Sequence, residues 1–256
     1  MKVFLSTAIL TAALACAAPP LRFCVDPNNL PFSNDRGEGF ENRIAELVAE
    51  ELQRPLEYVW WAQRRGFVRN ALTAGLCDVV PGIPTSVDSL MATQAYYRSS
   101  YVFISRTPAP PGSFDNPILR RLRIGVQIVG DDYANTPPAH ALSKRGIVNV
   151  QGYRVAGNYN LPNTPARIID ALANGEIDVA IAWGPMAGYF AARQSIPLYV
   201  SAIKVQPGDS AIPLTYNIGM GVRKRDFDLL TAVDRALSRS RSKITKILKE
   251  FNVPYE

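Results

Sequence analysis

The chain has 256 residues, 47% hydrophobic, 20% charged and 9% aromatic: enough apolar side chain for a sizeable core and too little charge imbalance for a disordered chain. Its formal charge of +6 and pI near 9.3 favour acidic partners or surfaces without pointing to nucleic acid. Three cysteines and one histidine put the common Cys/His zinc frameworks out of reach.

Met1 and Lys2 precede an apolar run interrupted by Ser6, Thr7 and Thr11, and small residues follow at Ala15, Cys16, Ala17 and Ala18. This is the pattern of a secretory signal. It predicts residues 1–17 as a cleaved peptide, because a cut after Ala17 has small residues at Ala15 and Ala17. Lipoprotein anchoring through Cys16 is the alternative; Ala13 is a poor match to that pattern. The run is too short to span a bilayer, and no later stretch is long and uncharged enough, so no membrane span is expected. Export to an oxidising periplasm leaves Cys24 and Cys77 as the two thiols of the mature chain. A disulfide between them is the favoured reading, a pair of buried thiols the other.

Residues 21–26 read as a first strand. The turn at Asp35, Arg36, Gly37, Glu38 and Gly39 opens a helix whose Phe40, Ile44, Leu47, Val48 and Leu52 share a face, and Pro55 ends it. Residues 56–60 form a second strand, 67–74 a short helix stopped by Gly75, and 77–83 a third strand. After the Pro-rich break at 107–112 come a strand at 122–128, a helix at 134–144 and a strand at 147–150. A helix at 165–174 follows, with Pro165 at its start and Gly175 past its end. Strands at 177–182 and 217–222 then precede a helix from near Asp226 and a second apolar set at Ile244, Ile247, Leu248 and Phe251. Arg235, Arg239, Arg241, Lys243, Lys246 and Lys249 give this tail a basic face, a solvated helix surface in the first instance and a docking patch in the second. Alternating strands and helices make an α/β fold. No internal repeat is evident.

The opening Leu21-Arg22-Phe23-Cys24-Val25-Asp26-Pro27 with Pro31-Phe32-Ser33, the helix start Gly39-Phe40-Glu41, the junction Asn174-Gly175-Glu176-Ile177-Asp178-Val179-Ala180 and the return strand from Gly221 to Asp226 together resemble the periplasmic solute-binding proteins of family 3, which include amino-acid receptors of ABC importers. The strings RFCVDPNNLPFSNDRGEGFENRIAELVAEEL, EYVWWAQRRGFVRNALTAGLCDVVPGIP and YYRSSYVF resemble more closely the branch found beside PQQ-dependent alcohol dehydrogenases, the MoxJ and XoxJ proteins of methanol oxidation. The resemblance implies a two-lobed clamshell, each lobe a sheet flanked by helices. Lobe 1 would comprise residues 18–103 plus 217–256 and lobe 2 residues 104–216, with crossings near 97–105 and 213–222.

Ligands of open α/β sheets sit beyond the carboxyl ends of the strands. On these assignments that rim gathers Asp26, Asn28, Asn29 and Phe32 after the first strand, Trp60, Trp61, Arg64 and Arg65 after the second, and Gly82, Pro84 and Thr85 around the third. The facing lobe offers Gly130, Asp131, Asp132 and Tyr133, and Trp183, Gly184 and Met186. Adjacent strand residues point to opposite faces, so Trp60 and Trp61 cannot both line one wall. Asp131 and Asp132 read as helix caps rather than cation ligands, and His140 stands alone. The glutamates Glu38 and Glu41 read as helix-start charges. Amino-acid receptors of the family place an arginine near Thr85 or Ser86 for the ligand carboxylate and an aspartate after the strand that here ends at Ala182. This chain has Thr85-Ser86-Val87-Asp88 and Trp183 instead, so the grip on a zwitterion is missing at both ends.

There is no G-x-S-x-G elbow, P-loop or HExxH. The resemblance therefore implies a non-catalytic periplasmic accessory protein, with no cofactor or metal of its own, that assists maturation or activation of a PQQ-dependent methanol or alcohol dehydrogenase by protein contact. The alternatives are an importer receptor for a small non-amino-acid ligand and, behind it, a small-molecule dehydratase.

Overall fold

A computed structural model describes residues 18–129, 135–155, 161, 164–204 and 213–254. The signal segment 1–17 and Gly130, Asp131, Asp132 and Tyr133 lie outside the described residues. In chain order, β1 (Leu21–Val25) leads through β2 (Asn28–Asn29) and β3 (Ser33–Asn34) to α1 (Phe40–Glu51), β4 (Leu56–Trp60), a π-helical turn (Val68–Thr73), β5 (Val79–Pro84), β6 (Met91–Ala92) and the long β7 (Tyr97–Ser105). A 3-10 turn (Pro117–Arg120), β8 (Ile124–Ile128), α2 (Pro137–Lys144), β9 (Val150–Arg154), a second 3-10 turn (Thr164–Ala166), α3 (Arg167–Ala173), β10 (Val179–Trp183), α4 (Gly184–Ala191) and β11 (Tyr199–Ala202) follow. The chain closes with β12 (Thr215–Val222), α5 (Phe227–Arg239) and α6 (Arg241–Glu250).

The strands run β4-β1-β5-β12-β7-β10-β8-β9, with β6 on β12 and β11 on β7. The fold is a two-lobed α/β clamshell, and β7 is its seam. Residues 97–100 of β7 pair antiparallel with β12, whereas residues 101–105 pair with β10 and residues 102–105 also with β11. On one side, α1 packs against α5 and α6 over the parallel strands β4, β1 and β5. On the other, β8 lies parallel to both β10 and β9.

β7 and β11 form strands that the periodicity does not mark, and two further elements differ from it. The strand expected at 147–150 begins only at Val150, because Gly146 turns the chain at φ 61° and Val148 is left 88% exposed; pairing starts where Val150 meets Ile124. Helix α4 carries no amphipathic signal, since all eight of its residues are buried and it has no polar face.

Each lobe also carries the same charged clamp, a repeat that reading the chain end to end does not expose. Asp78 receives the Arg22 guanidinium at 2.8 and 3.1 Å and returns its own N–H to the Arg22 carbonyl at 2.8 Å. Asp178 receives Arg123 at 2.6 and 3.1 Å and returns its N–H to the Arg123 carbonyl at 2.8 Å. A second arginine completes each clamp: Arg223 reaches Asp78 and the Cys77 carbonyl, and Arg106 reaches Asp178 and the Ile177 carbonyl. The flanking segments share Ala71 and Ala171, Leu72 and Leu172, Gly75 and Gly175, and Val79 and Val179 at matching positions. That echo is too short and interrupted to stand out before the geometry aligns it. The Arg123 hydrogen bonds hold Asp178 below the usual carboxylate range.

Cys24 and Cys77 form a disulfide, with Cα atoms 5.5 Å apart, inside an apolar cluster with Phe67, Leu72, Val80 and Leu90. It bridges 53 residues of sequence. A loop of that length gives a chain-entropy stabilisation of about 4 kcal/mol. Replacing both cysteines by serine is therefore expected to lower the unfolding free energy by several kcal/mol in a urea titration, and alkylation of the native, unreduced protein should label neither thiol.

Candidate functional site

The turn after β1 is wound around Asp26, which is buried. Its carboxylate accepts the N–H of Asn28 at 2.8 Å and that of Gln63 at 2.7 Å, and its carbonyl accepts the Ser33 hydroxyl at 2.8 Å. This side chain builds the turn and is absent from the cavity wall. Asn28 donates to the Leu161 carbonyl at 2.8 Å, a link from the first lobe to the second, and Asn29 donates to Gln63 at 3.2 Å.

A cavity of about 360 Å³ lies where the lobes meet, within the usual range for small-molecule sites. Asn29, Phe32, Gly82 and Pro84 line it from one lobe, and Gln127, Trp183 and Met186 from the other. The seam strands add Tyr97, Tyr101 and Tyr216. Trp183 sits edge-on to both Tyr101 and Tyr216, at 5.3 and 5.9 Å between ring centres. Its N–H donates to the Gln127 side-chain oxygen at 2.7 Å, which fixes the start of α4 against β8.

Among the described residues Glu41 is the one carboxylate in the cavity wall, and neither lysine nor arginine lines it. The backbone aims it there. The N–H groups of Phe40 and Glu41 donate to the carbonyls of Pro31 and Phe32 at 2.8 and 2.9 Å, pinning the first turn of α1 to the loop below it. Glu41 is 2% exposed, and no hydrogen bond or ion pair reaches its carboxylate among the described residues. Burial pushes its pKa up to about 8. Tyr96 and Tyr97 stand beside it, and burial, reinforced by the nearby carboxylate, pushes both phenols well up. Gly82 makes the room: at φ 70°, a Cβ there would lie 2.0 Å from the Glu41 Oε1. Glu41 is thus not a solvated helix-start charge. Glu38 is one, held by Arg36 at 2.7 Å.

The expected residues therefore divide. Asn29, Phe32, Trp183 and Met186 line the cavity. Trp60 and Trp61, 37% and 36% exposed, stand off it at the end of β4, and Arg64 and Arg65 are exposed in the following loop. Thr85 gives its N–H to the Asn217 carbonyl at 2.9 Å and takes no part in the wall. Asp131, Asp132 and Tyr133 lie outside the described residues. His140 is exposed on α2. Glu41 had a sequence signal that the reading passed over: Ile44, Ala45 and Val48, all buried, stand three, four and seven residues later, so it lies on the apolar stripe of its helix. Gln127 and the tyrosines of the seam carry no comparable mark.

Among the described residues, no group of three or more His, Cys, Asp or Glu side chains could hold a metal ion, and no helix is long and apolar enough to cross a membrane.

No family model matches the chain. Protein MoxJ of Methylorubrum extorquens AM1 is 30% identical over 257 residues, covering 95% of this chain and 85% of that protein. Protein MoxJ of Paracoccus denitrificans is 29% identical over 263 residues, covering 95% of this chain and 94% of that protein. The crystal structure of the periplasmic binding protein XoxJ from Methylobacterium extorquens AM1 superposes with a TM-score of 0.75 at 36% identity, over 92% of this chain and 99% of that one.

The raised pKa of Glu41 fixes the sign of one pH dependence. Its folded value near 8 lies above the ordinary 4.5, so the stability it permits is fully present below about pH 4.5 and is lost as pH rises towards 8. The full loss is on the order of 5 kcal/mol. Glu41→Gln is expected to match the parent near pH 4.5 and to exceed it in unfolding free energy at pH 8, as read from urea titrations of both proteins at the two pH values. Gly82→Ala should destabilise at either pH, because its Cβ collides with the carboxyl in both protonation states.

Proposed function

The chain belongs to the MoxJ family, and from that premise we propose that it works in the periplasm as a non-catalytic accessory protein, assisting maturation or activation of a PQQ-dependent methanol or related alcohol dehydrogenase through direct contact. The similarity to MoxJ over almost the whole chain is the observation that carries this reading. The export signal expected at residues 1–17 and the buried Cys24–Cys77 disulfide agree with that compartment. The division into lobe 1, residues 18–103 with 217–256, and lobe 2, residues 104–216, belongs to the same proposal. The switch of β7 from β12 to β10 between Ser100 and Tyr101 supports it.

Two features favour protein contact over amino-acid transport. Trp183 occupies the place where an amino-acid receptor of this fold would present an aspartate, and Thr85 is engaged in the sheet with no arginine beside it. Trp60 and Trp61 at the end of β4 and Arg64 and Arg65 in the loop after it are meanwhile exposed, and Trp and Arg are residue types enriched at protein interfaces. The net positive charge suits an acidic face on the dehydrogenase.

Immobilised mature protein should retain purified PQQ-dependent methanol dehydrogenase in its apo or holo form. Changing Trp60 and Trp61 together to alanine is expected to weaken that retention at least about tenfold, as interface anchors do. Retention of neither form would refute the accessory reading, and unchanged retention by the double variant would move the contact away from these indoles.

A further inference from the structure

The cavity between the lobes has a chemistry that contact with a dehydrogenase does not use. Among the described residues its wall carries one carboxylate, no basic side chain and a set of aromatic rings. In a chain with net charge +6 this is an inversion, since the surface as a whole favours anions while this interior favours the opposite sign. A buried carboxylate without a partner is an expensive arrangement, and what relieves it is a cation brought in from outside. The rings of Tyr97, Tyr101, Trp183 and Tyr216 face the same space, and their electron-rich faces attract alkylated ammonium groups, which shed water more readily than a metal ion does. Gln63 and Gln127 add neutral polar groups to the wall, able to meet a hydroxyl or an N–H.

We propose that this cavity binds a small organic cation of the alkyl- or methylammonium class, with Glu41 as its counter-ion and the rings of Tyr97, Tyr101, Trp183 and Tyr216 as its walls. The site is distinct from the docking residues Trp60 and Trp61, and it stands whether or not a dehydrogenase binds. Carboxylate and phosphate ligands are disfavoured there, because the described wall offers them no basic side chain. Among the described residues the titratable groups facing Glu41 are the phenols of Tyr96 and Tyr97, both neutral at physiological pH. Glu41, pushed up to about 8 by burial, is largely protonated in the empty cavity at pH 7. A permanently charged ligand must therefore expel that proton as it enters.

The test is calorimetric titration of the mature, disulfide-intact protein with choline and with its neutral isostere 3,3-dimethylbutan-1-ol. Choline is expected to bind at least about tenfold more tightly than the alcohol, the discrimination a charge paired in a desolvated site provides. Its enthalpy at pH 7 should vary with the ionisation enthalpy of the buffer, reporting a proton released to solvent. Glu41→Gln should bring choline down to the affinity of the alcohol, and Trp183→Ala should weaken choline at least severalfold while unfolding remains cooperative. The buffer dependence needs no variant, so it decides the matter even if a substitution disturbs the fold. The proposal is overturned if choline does not bind, if choline and the alcohol bind alike, if Glu41→Gln leaves choline affinity unchanged, or if acetate binds in preference to either.

Discussion

Strand β7 is shared between two sheets, and the rest of the architecture follows from that sharing. Its first four residues hydrogen-bond to β12 and its last five to β10, so the strand leaves one lobe and enters the other without an intervening loop. Backbone groups on both sides of the switch stay paired, which is what allows the chain to pass between lobes through the interior rather than over the surface. Tyr97 and Tyr101 are carried on this strand on either side of the switch, and Tyr216 on its neighbour β12. The cavity takes its aromatic floor from the same residues that join the lobes. Motion between the lobes and the shape of that floor are consequently inseparable.

Glu41 shows how the fold holds a charge where propensity alone would not place one. The first turn of α1 is hydrogen-bonded to the 31–32 segment, Asn42 folds back onto the N–H of Gly39 at 3.1 Å, and Gly82 leaves a gap of the size the carboxyl needs. Three separate pieces of sequence therefore converge on one buried acid. Residues that serve stability alone do not require such an arrangement, since an alanine or leucine at the same position would bury with no electrostatic cost.

Much of the fold was legible beforehand, for identifiable reasons. β1 is apolar apart from Arg22 and β12 from Ile218 onward, α1 has a clean stripe, and Cys24 and Cys77 are the two thiols that remain after the expected signal segment. Trp183 was legible because it interrupts the pattern of a familiar junction. The failures have equally specific origins. Helix α4 is buried all round and so has no period to detect. β7 and β11, which the periodicity does not mark as strands, depend on pairing between distant segments, which local propensity does not report. Trp60, Trp61, Arg64 and Arg65 follow a strand whose carboxyl end shares the rim of β1, but β4 is the edge strand, so they lie farther out and of their loop it is Gln63 that lines the cavity. Glu41 is hidden in the sequence because a glutamate at a helix start has an ordinary explanation as a solvated charge, which its place on the apolar stripe of α1 overrides.

The twin arginine–aspartate clamps bear on the order in which the chain can assemble as it is delivered from its N-terminus. Arg106, Arg123 and Asp178 emerge within one contiguous stretch, so the clamp of the second lobe can close while the C-terminal part of the chain is still being threaded. The clamp of the first lobe joins Arg22 and Asp78 early but gains Arg223 only when the C-terminal part of the chain has been delivered. The Cys24–Cys77 bond spans that interval, because both of its sulfur atoms arrive long before β12 does. A covalent tie formed by oxidation thus stands guard over a half-built sheet whose last strand is the final one to be delivered.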